Sequence, residues 1–70
     1  MTEISLAAIE RIIRKAGAER ISYDAIVALS EILEDIGIRI SKDALELAKH
    51  AKRKTIKKED VKLAVKRIDI

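Results

Sequence analysis

The stretch from Tyr23 to His50 constrains the fold more than any other part of the chain. It contains no proline and a single glycine, Gly37. Its large apolar residues recur at spacings of three, four or seven, as one face of a helix requires: Ile26, Leu29, Leu33, Ile36, Ile40 and Leu47. The pattern therefore predicts one long helix. At 1.5 Å per residue it would extend roughly 42 Å, which exceeds the width of a compact domain of this size.

That helix has more apolar surface than the rest of the chain can cover. Smaller apolar residues and Ile32 widen its apolar face beyond a coiled-coil seam: Ala25, Ala28, Ile32, Ala44 and Ala48. Two short helical segments remain to shield it, so we expect a second copy of the chain to supply the missing cover as an obligate dimer. Gly37 is interpreted as a point of close approach for a crossing helix, in preference to a merely tolerated glycine.

Composition agrees with stabilisation by association. Seventy residues allow one domain, residues 1–70, and a core of this size is usually marginal without a disulfide, a metal or a partner chain. The chain has no cysteine, and its one histidine, His50, cannot form a zinc site by itself. No nucleophile stands beside a histidine and no glycine-rich phosphate loop is present. We therefore expect an all-α protein. We also expect that it binds no cofactor and is not an enzyme.

The distribution of charge indicates an anionic partner. The net charge is +3, with +1 in residues 1–20, −3 in residues 21–50 and +5 in residues 51–70. An acidic middle with basic ends fits a protein that touches nucleic acid at loops and helix ends. No apolar run approaches a membrane span and the N-terminus lacks the features of a signal peptide, so we expect a soluble, cytoplasmic protein with no membrane or small-molecule partner.

A short helix is predicted before the long one, from about Ile4 to Ala16. Either Thr2 or Ser5 fits its N-cap, and the residue pattern does not choose between them. Gly17 follows directly and fits the left-handed residue after the helix end. Ser22 fits the N-cap of the long helix.

A third helix is predicted from Lys57 to Arg67, after a basic loop. Glu59 and Asp60 lie at its positive N-terminus, where acidic residues are favourable. The residues expected to face inward are Val61, Ala64, Val65 and Ile68. The basic cluster from Lys52 to Lys58 could be a solvated surface, but its place around a helix start favours phosphate binding.

The order of these segments resembles the archaeal histones over essentially the whole chain. KAGAER closes the first helix, Ser22-x-Asp24-Ala25 opens the long one, and LAKHAKRKTIKKEDVKLAVKR ends the pattern. The resemblance implies the histone fold, in which two chains clasp head to tail in a handshake homodimer. The first loop of one chain would then lie beside the second loop of the other.

The resemblance also implies that such dimers bind and wrap double-stranded DNA with little sequence specificity, in association with the chromosome. Arg11 would point into the minor groove, as arginines of histone octamers do. Lys58 would add charge. Tyr23 could stack on a base, although packing is the expected role of this single aromatic residue. The expected DNA-binding residues are Arg11, Arg14, Lys15, Arg20, Lys52, Arg53, Lys54, Thr55 and Lys57.

Members of the family join dimers end to end, and the residues of this chain at the matching places are Leu47, His50 and Asp60. The resemblance implies that His50 meets Asp60 of the neighbouring dimer, that Asp60 could hold Arg53 within its own chain, and that Gly17 permits successive turns to stack. Tetramers or longer nucleosome-like filaments would follow.

Three questions stay open on the sequence. Lys52 stands where the family usually has glycine, and could add a phosphate contact or crowd the stacking of successive turns. The partner of the dimer could be a paralogue instead of a second copy. The chain could be a histone-fold subunit of a transcription-factor complex, or a helical protein scaffold whose basic loops only keep it soluble.

Overall fold

The computed structural model describes residues 3–68, and within them it contains three α-helices and no strand. α1 spans Leu6–Lys15, α2 spans Tyr23–His50 and α3 spans Lys58–Arg67. The all-α prediction and the short, long, short order of helices are confirmed. Thr2, one of the two candidate caps, lies outside the described residues. In this part of the chain no helix is both long enough and apolar enough to cross a bilayer.

α1 begins two residues later than predicted because Ser5 takes the N-cap. Its backbone is extended, with φ −60° and ψ 128°, and its Oγ accepts a hydrogen bond from the Ala8 N–H at 3.3 Å. At the other end Gly17 has φ 107°, and its N–H donates to the Arg14 carbonyl at 2.9 Å. The predicted left-handed glycine after α1 is confirmed.

α2 has the bounds that the sequence predicts, an uninterrupted helix of 28 residues. Ser22 caps its start, since the Ser22 Oγ accepts from the Ala25 N–H at 3.1 Å. The described chain brings no crossing helix to Gly37, so the close-approach interpretation stays a prediction for a partner chain. A Cβ placed on Gly37 would have no atom within 4 Å beyond its own helix and neighbours.

α3 begins one residue later than predicted, at Lys58. Lys57 is extended, with φ −110° and ψ 167°, and serves as the N-cap residue. Ala64 is fully buried and Ile68 half-buried, but the side chains of Val61 and Val65 are 40% and 41% exposed. The expected inward orientation of the two valines is therefore wrong for the single chain.

The chain divides into two compact units, Met1–Asp35 and Ile36–Ile70, and α2 contributes to both. Among described residues, the buried side chains of the first are Ile9, Ile26 and Ser30, and those of the second are Ala44, Ala48, Asp60 and Ala64. Both cores are small. Nine large apolar side chains among the described residues are 39–68% exposed: Ile12, Tyr23, Ile32, Ile38, Leu45, Ile56, Val61, Leu63 and Val65.

Candidate nucleic-acid interface

α2 ends in a tight turn that leads into the second loop, residues 51–57. The Lys52 N–H donates to the Lys49 carbonyl, and the Arg53 N–H donates to the Ala48 carbonyl, both at 2.9 Å. This pair of bonds is the Schellman motif, which satisfies carbonyls left open at the end of a helix. The motif requires a left-handed residue, and here that residue is Lys52, with φ 59°.

An ion pair ties the second loop to the start of α3. Arg53 donates from Nη1 to Asp60 Oδ2 at 2.8 Å and from Nη2 to Asp60 Oδ1 at 2.9 Å. Nη1 also donates to the Thr55 carbonyl at 2.9 Å. Asp60 Oδ2 accepts the Lys57 N–H at 2.8 Å as well, which occupies one of the free donors at the start of α3. The contact between Arg53 and Asp60 that the resemblance suggested is confirmed.

Asp60 stays ionised under ordinary conditions because of these donors. Its residue is 5% exposed. The hydrogen bonds from Arg53, and next the Lys57 N–H, lower the pKa of Asp60 from 3.8 to about 2, against the opposite effect of burial. The hydrogen bond to Asp60 likewise raises the pKa of Arg53. Two-pronged, charge-assisted pairs of this kind fix geometry as well as energy, so the loop is held in one conformation.

The remaining cations of the second loop point to solvent. Lys52, Lys54, Lys57 and Lys58 are exposed, together with Thr55, whereas Arg53 is half-buried. These side chains surround the N-terminus of α3, where unpaired N–H groups and the helix dipole favour an anion. The arrangement is chemically suited to phosphate groups.

α1 and the first loop, residues 16–22, carry the other predicted DNA-binding residues. Arg11, Lys15 and Arg20 are exposed. Arg14 is also exposed, but its Nη2 lies 2.9 Å from Glu10 Oε2, one turn back along α1. Such exposed pairs contribute little to stability, so Arg14 can exchange this partner for another anion.

The residues expected at the junction between dimers differ in accessibility. Leu47 is half-buried and His50 exposed, whereas Asp60 is buried against Arg53. Within the described chain the structure brings Asp60 together with Arg53 and Lys57, and His50 forms no hydrogen bond or ion pair with Asp60. Gly17 is exposed and has open space where a side chain would begin.

Some features of this site lay beyond sequence reasoning. Lysine is not itself a turn signal, and the one indication that residue 52 is left-handed was the glycine that the family usually has at this place after the long helix. Lys57 has no side-chain oxygen and is not a typical N-cap residue; the one available signal was the acidic Asp60 three residues later, as in half of a capping box. Tyr23, expected to pack, is 68% exposed in the single chain.

Short, long and short helices with a basic loop before the third define a protein of the histone-fold class. The family described as "Histone-like transcription factor (CBF/NF-Y) and archaeal histone" matches residues 2–65. The chain belongs to this family.

Two relatives are similar over nearly the whole chain. One is a polypeptide of the archaeal histone HAN1 of Thermococcus zilligii, which is 59% identical over 66 residues; these cover 94% of this chain and 98% of the relative. The "Probable archaeal histone 3" of Methanocaldococcus jannaschii is 48% identical over 66 residues, with the same coverage of 94% and 98%.

Proposed function

We propose that this chain is an architectural chromatin protein whose homodimers bind and wrap double-stranded DNA with little sequence specificity. The observation that carries the proposal is the second loop, where the bond between Arg53 and Asp60 holds the backbone while the neighbouring lysines stay exposed. The similarity to two proteins named as archaeal histones supports it. The protein would act without catalysis or cofactor, in the cytoplasm and on the chromosome.

The proposed contacts are with the DNA backbone. Lys54, Thr55 and Lys57 lie at the start of α3, where N–H groups and a positive dipole end accept phosphate. In a handshake dimer, Arg20 of the other chain joins them. Arg11, on α1, enters the minor groove. Each neutralised phosphate releases counterions, so binding weakens as salt rises. Sequence preference then follows the ease with which DNA bends.

The uncovered apolar surface supports the proposed dimer. Each compact unit buries few large side chains, and exposed ones such as Ile32 and Ile38 lie along α2. A second copy that covers them turns residues 1–70 into one histone-fold domain of a homodimer. A paralogue with the same surface could replace the second copy.

Dimers are proposed to join end to end through Leu47, His50 and Asp60. Asp60 Oδ2 already accepts two hydrogen bonds, from Arg53 and Lys57, whereas Oδ1 accepts one, from Arg53. A carboxylate oxygen has two acceptor sites, so His50 of a neighbouring dimer would donate to Oδ1. The variant His50→Ala tests this contact: tetramers should be lost at neutral pH, and unchanged association would exclude the role.

Nuclease digestion of reconstituted complexes tests the whole proposal. Stepwise addition of dimers to DNA predicts a ladder of protected lengths with a fixed increment. Arg20→Ala and Thr55→Ala should weaken DNA binding and blur the ladder, while Lys62→Gln on the exposed surface of α3 serves as the control. A smear from the wild-type protein contradicts wrapping. Binding that is insensitive to both loop variants favours the scaffold alternative.

Membership of a transcription-factor complex is the second candidate function, because the family description also covers histone-like transcription factors. In that role the chain requires a distinct partner chain. Sedimentation of the purified protein separates the two: a folded homodimer supports the histone, and a chain that folds only after another protein is added supports the transcription-factor complex.

A further inference from the structure

Lys52 occupies a backbone conformation that favours glycine. Its φ is 59°, and among residues 3–68 it is the one residue other than glycine with a positive φ. A side chain in this region crowds the backbone, which is why helices that end in this turn usually carry glycine there.

The end of α1 shows the same turn without backbone strain. At the end of α1 the residue after the C-cap is Gly17, with φ 107°, and its N–H bonds to the Arg14 carbonyl. The Lys52 N–H makes the equivalent bond to the Lys49 carbonyl at the end of α2. Both helix ends therefore need a left-handed residue after the C-cap, which is glycine at α1 and lysine at α2. The turn after α2 therefore does not need lysine and is less stable because of it.

No contact within the described chain compensates for this strain. Lys52 is exposed, and its side chain makes no hydrogen bond or ion pair with any residue from 3 to 68. Strained residues that persist without a structural reason are concentrated at ligand-binding positions. We therefore expect the Lys52 ammonium to have its partner in another molecule.

Arg53, the residue after Lys52, has its partners in the loop and at the start of α3. Arg53 directs Nη1 and Nη2 to Asp60 and the Thr55 carbonyl, so its charge is neutralised inside the loop. Lys52 precedes it directly and Lys54 follows, and both are exposed. A lysine ammonium binds phosphate as a mobile point charge and needs no fixed planar geometry.

We infer that Lys52 is a phosphate-binding residue of the second loop, and that it supplies the contact which Arg53, as a positioning residue, does not make. The inference rests on the proposed DNA-binding function and deepens it. It also resolves the two interpretations of Lys52 in favour of a DNA contact.

The test compares three variants of the full-length protein on duplex DNA over a range of salt concentrations. Lys52→Gly removes both charge and strain, Lys52→Asn removes the charge at a residue type that tolerates this conformation, and Lys52→Arg keeps both. The slope of log affinity against log salt should fall by about 1 for each lost lysine, or about 2 per dimer, in the first two variants. Lys52→Arg and the charge control Lys62→Gln should keep the wild-type slope.

Thermal unfolding at matched protein concentration supplies a second readout. Lys52→Gly should raise Tm by about 4–8 °C, while Lys52→Arg should leave it unchanged. An unchanged Tm together with a wild-type salt slope for Lys52→Gly would overturn the inference, because neither strain nor a phosphate contact would then be present. So would a wild-type slope for Lys52→Gly and Lys52→Asn beside a reduced slope for Lys54→Gln, with the proposed function left standing. If the wild-type protein shows no salt-dependent DNA binding, the proposed function fails and the inference fails with it.

Discussion

Two adjacent basic residues in the second loop have opposite roles. Arg53 turns inward, where its planar guanidinium meets both oxygens of Asp60. Lys52 turns outward and has no partner among the described residues. A lysine at position 53 could not reproduce the first arrangement, because an ammonium cannot form the paired, parallel bonds of a guanidinium. Formal charge therefore describes this loop poorly; the geometry of each cation decides what it binds.

The variant Asp60→Asn should lower Tm at pH 7, and its Tm should change less with pH in the acid range than that of the wild type. In the folded protein the pKa of Asp60 is lowered from 3.8 to about 2. A lowered pKa means that the carboxylate stabilises the fold above the unfolded value, and that this stabilisation is lost as the pH falls from about 4 towards 2. Circular dichroism melts from pH 7 to pH 2 measure the difference between wild type and variant.

Asp24→Asn is the matched control, since Asp24 is an exposed carboxylate in the first turn of α2. Its Tm should follow the wild-type curve more closely than that of Asp60→Asn throughout. Parallel curves for Asp60→Asn and wild type below pH 4 would show that the ion pair with Arg53 contributes no pH-dependent stability.

Among the helices, the sequence predicted best where two signals agreed. For α2 the N-cap Ser22 and a long apolar period pointed to the same bounds. The predicted starts of α1 and α3 were two residues and one residue too early. At α1 the residue pattern did not choose between Thr2 and Ser5 as the N-cap, and at α3 the N-cap residue, Lys57, has no side-chain oxygen that would mark it as a cap.

Periodicity also identified the apolar face of α3 without revealing what covers it. Val61 and Val65 lie at inward spacings, yet both remain largely exposed in the single chain. Side-chain burial depends on neighbours that a one-chain pattern does not contain. The ion pair of Arg53 with Asp60 was foreseen through family resemblance, because no local rule links residues seven positions apart across a loop.

Ser22→Ala should destabilise the protein by about 1 kcal/mol for each chain. The Ser22 Oγ accepts a hydrogen bond from the Ala25 N–H, one of the N–H groups that the start of a helix leaves open. Without the hydroxyl, the Ser22 carbonyl would be the one remaining acceptor of this N–H among the described residues. Urea unfolding at fixed protein concentration measures the change in midpoint. The same substitution at exposed Ser41, in the middle of α2, should be neutral or stabilising, because alanine favours helix interiors. Equal midpoints for the two variants would show that this cap contributes nothing.

The whole molecule has a mismatch between its apolar content and what one chain buries. Hydrophobic residues make up 49% of the sequence. Yet among residues 3–68 Ile9 is the one large apolar side chain that is fully buried. Chains of this size seldom fold on such small cores, and exposed apolar patches of this kind mark surfaces that another protein covers. The proposed homodimer, in which a second copy lies along α2, would cover this surface.

Ile32 provides the sharpest test, because it is 54% exposed in the single chain. If a second copy covers Ile32, then Ile32→Glu buries an unpaired carboxylate, which costs several kcal/mol. The helical circular dichroism signal and the dimer in sedimentation velocity should both be lost. Ala7→Glu, which adds the same group at an exposed position of α1, should leave both intact. The wild-type Tm should also rise with protein concentration, because association stabilises only the folded chain. A folded Ile32→Glu variant, together with a wild-type protein that sediments as a folded monomer at every concentration, would contradict the dimer.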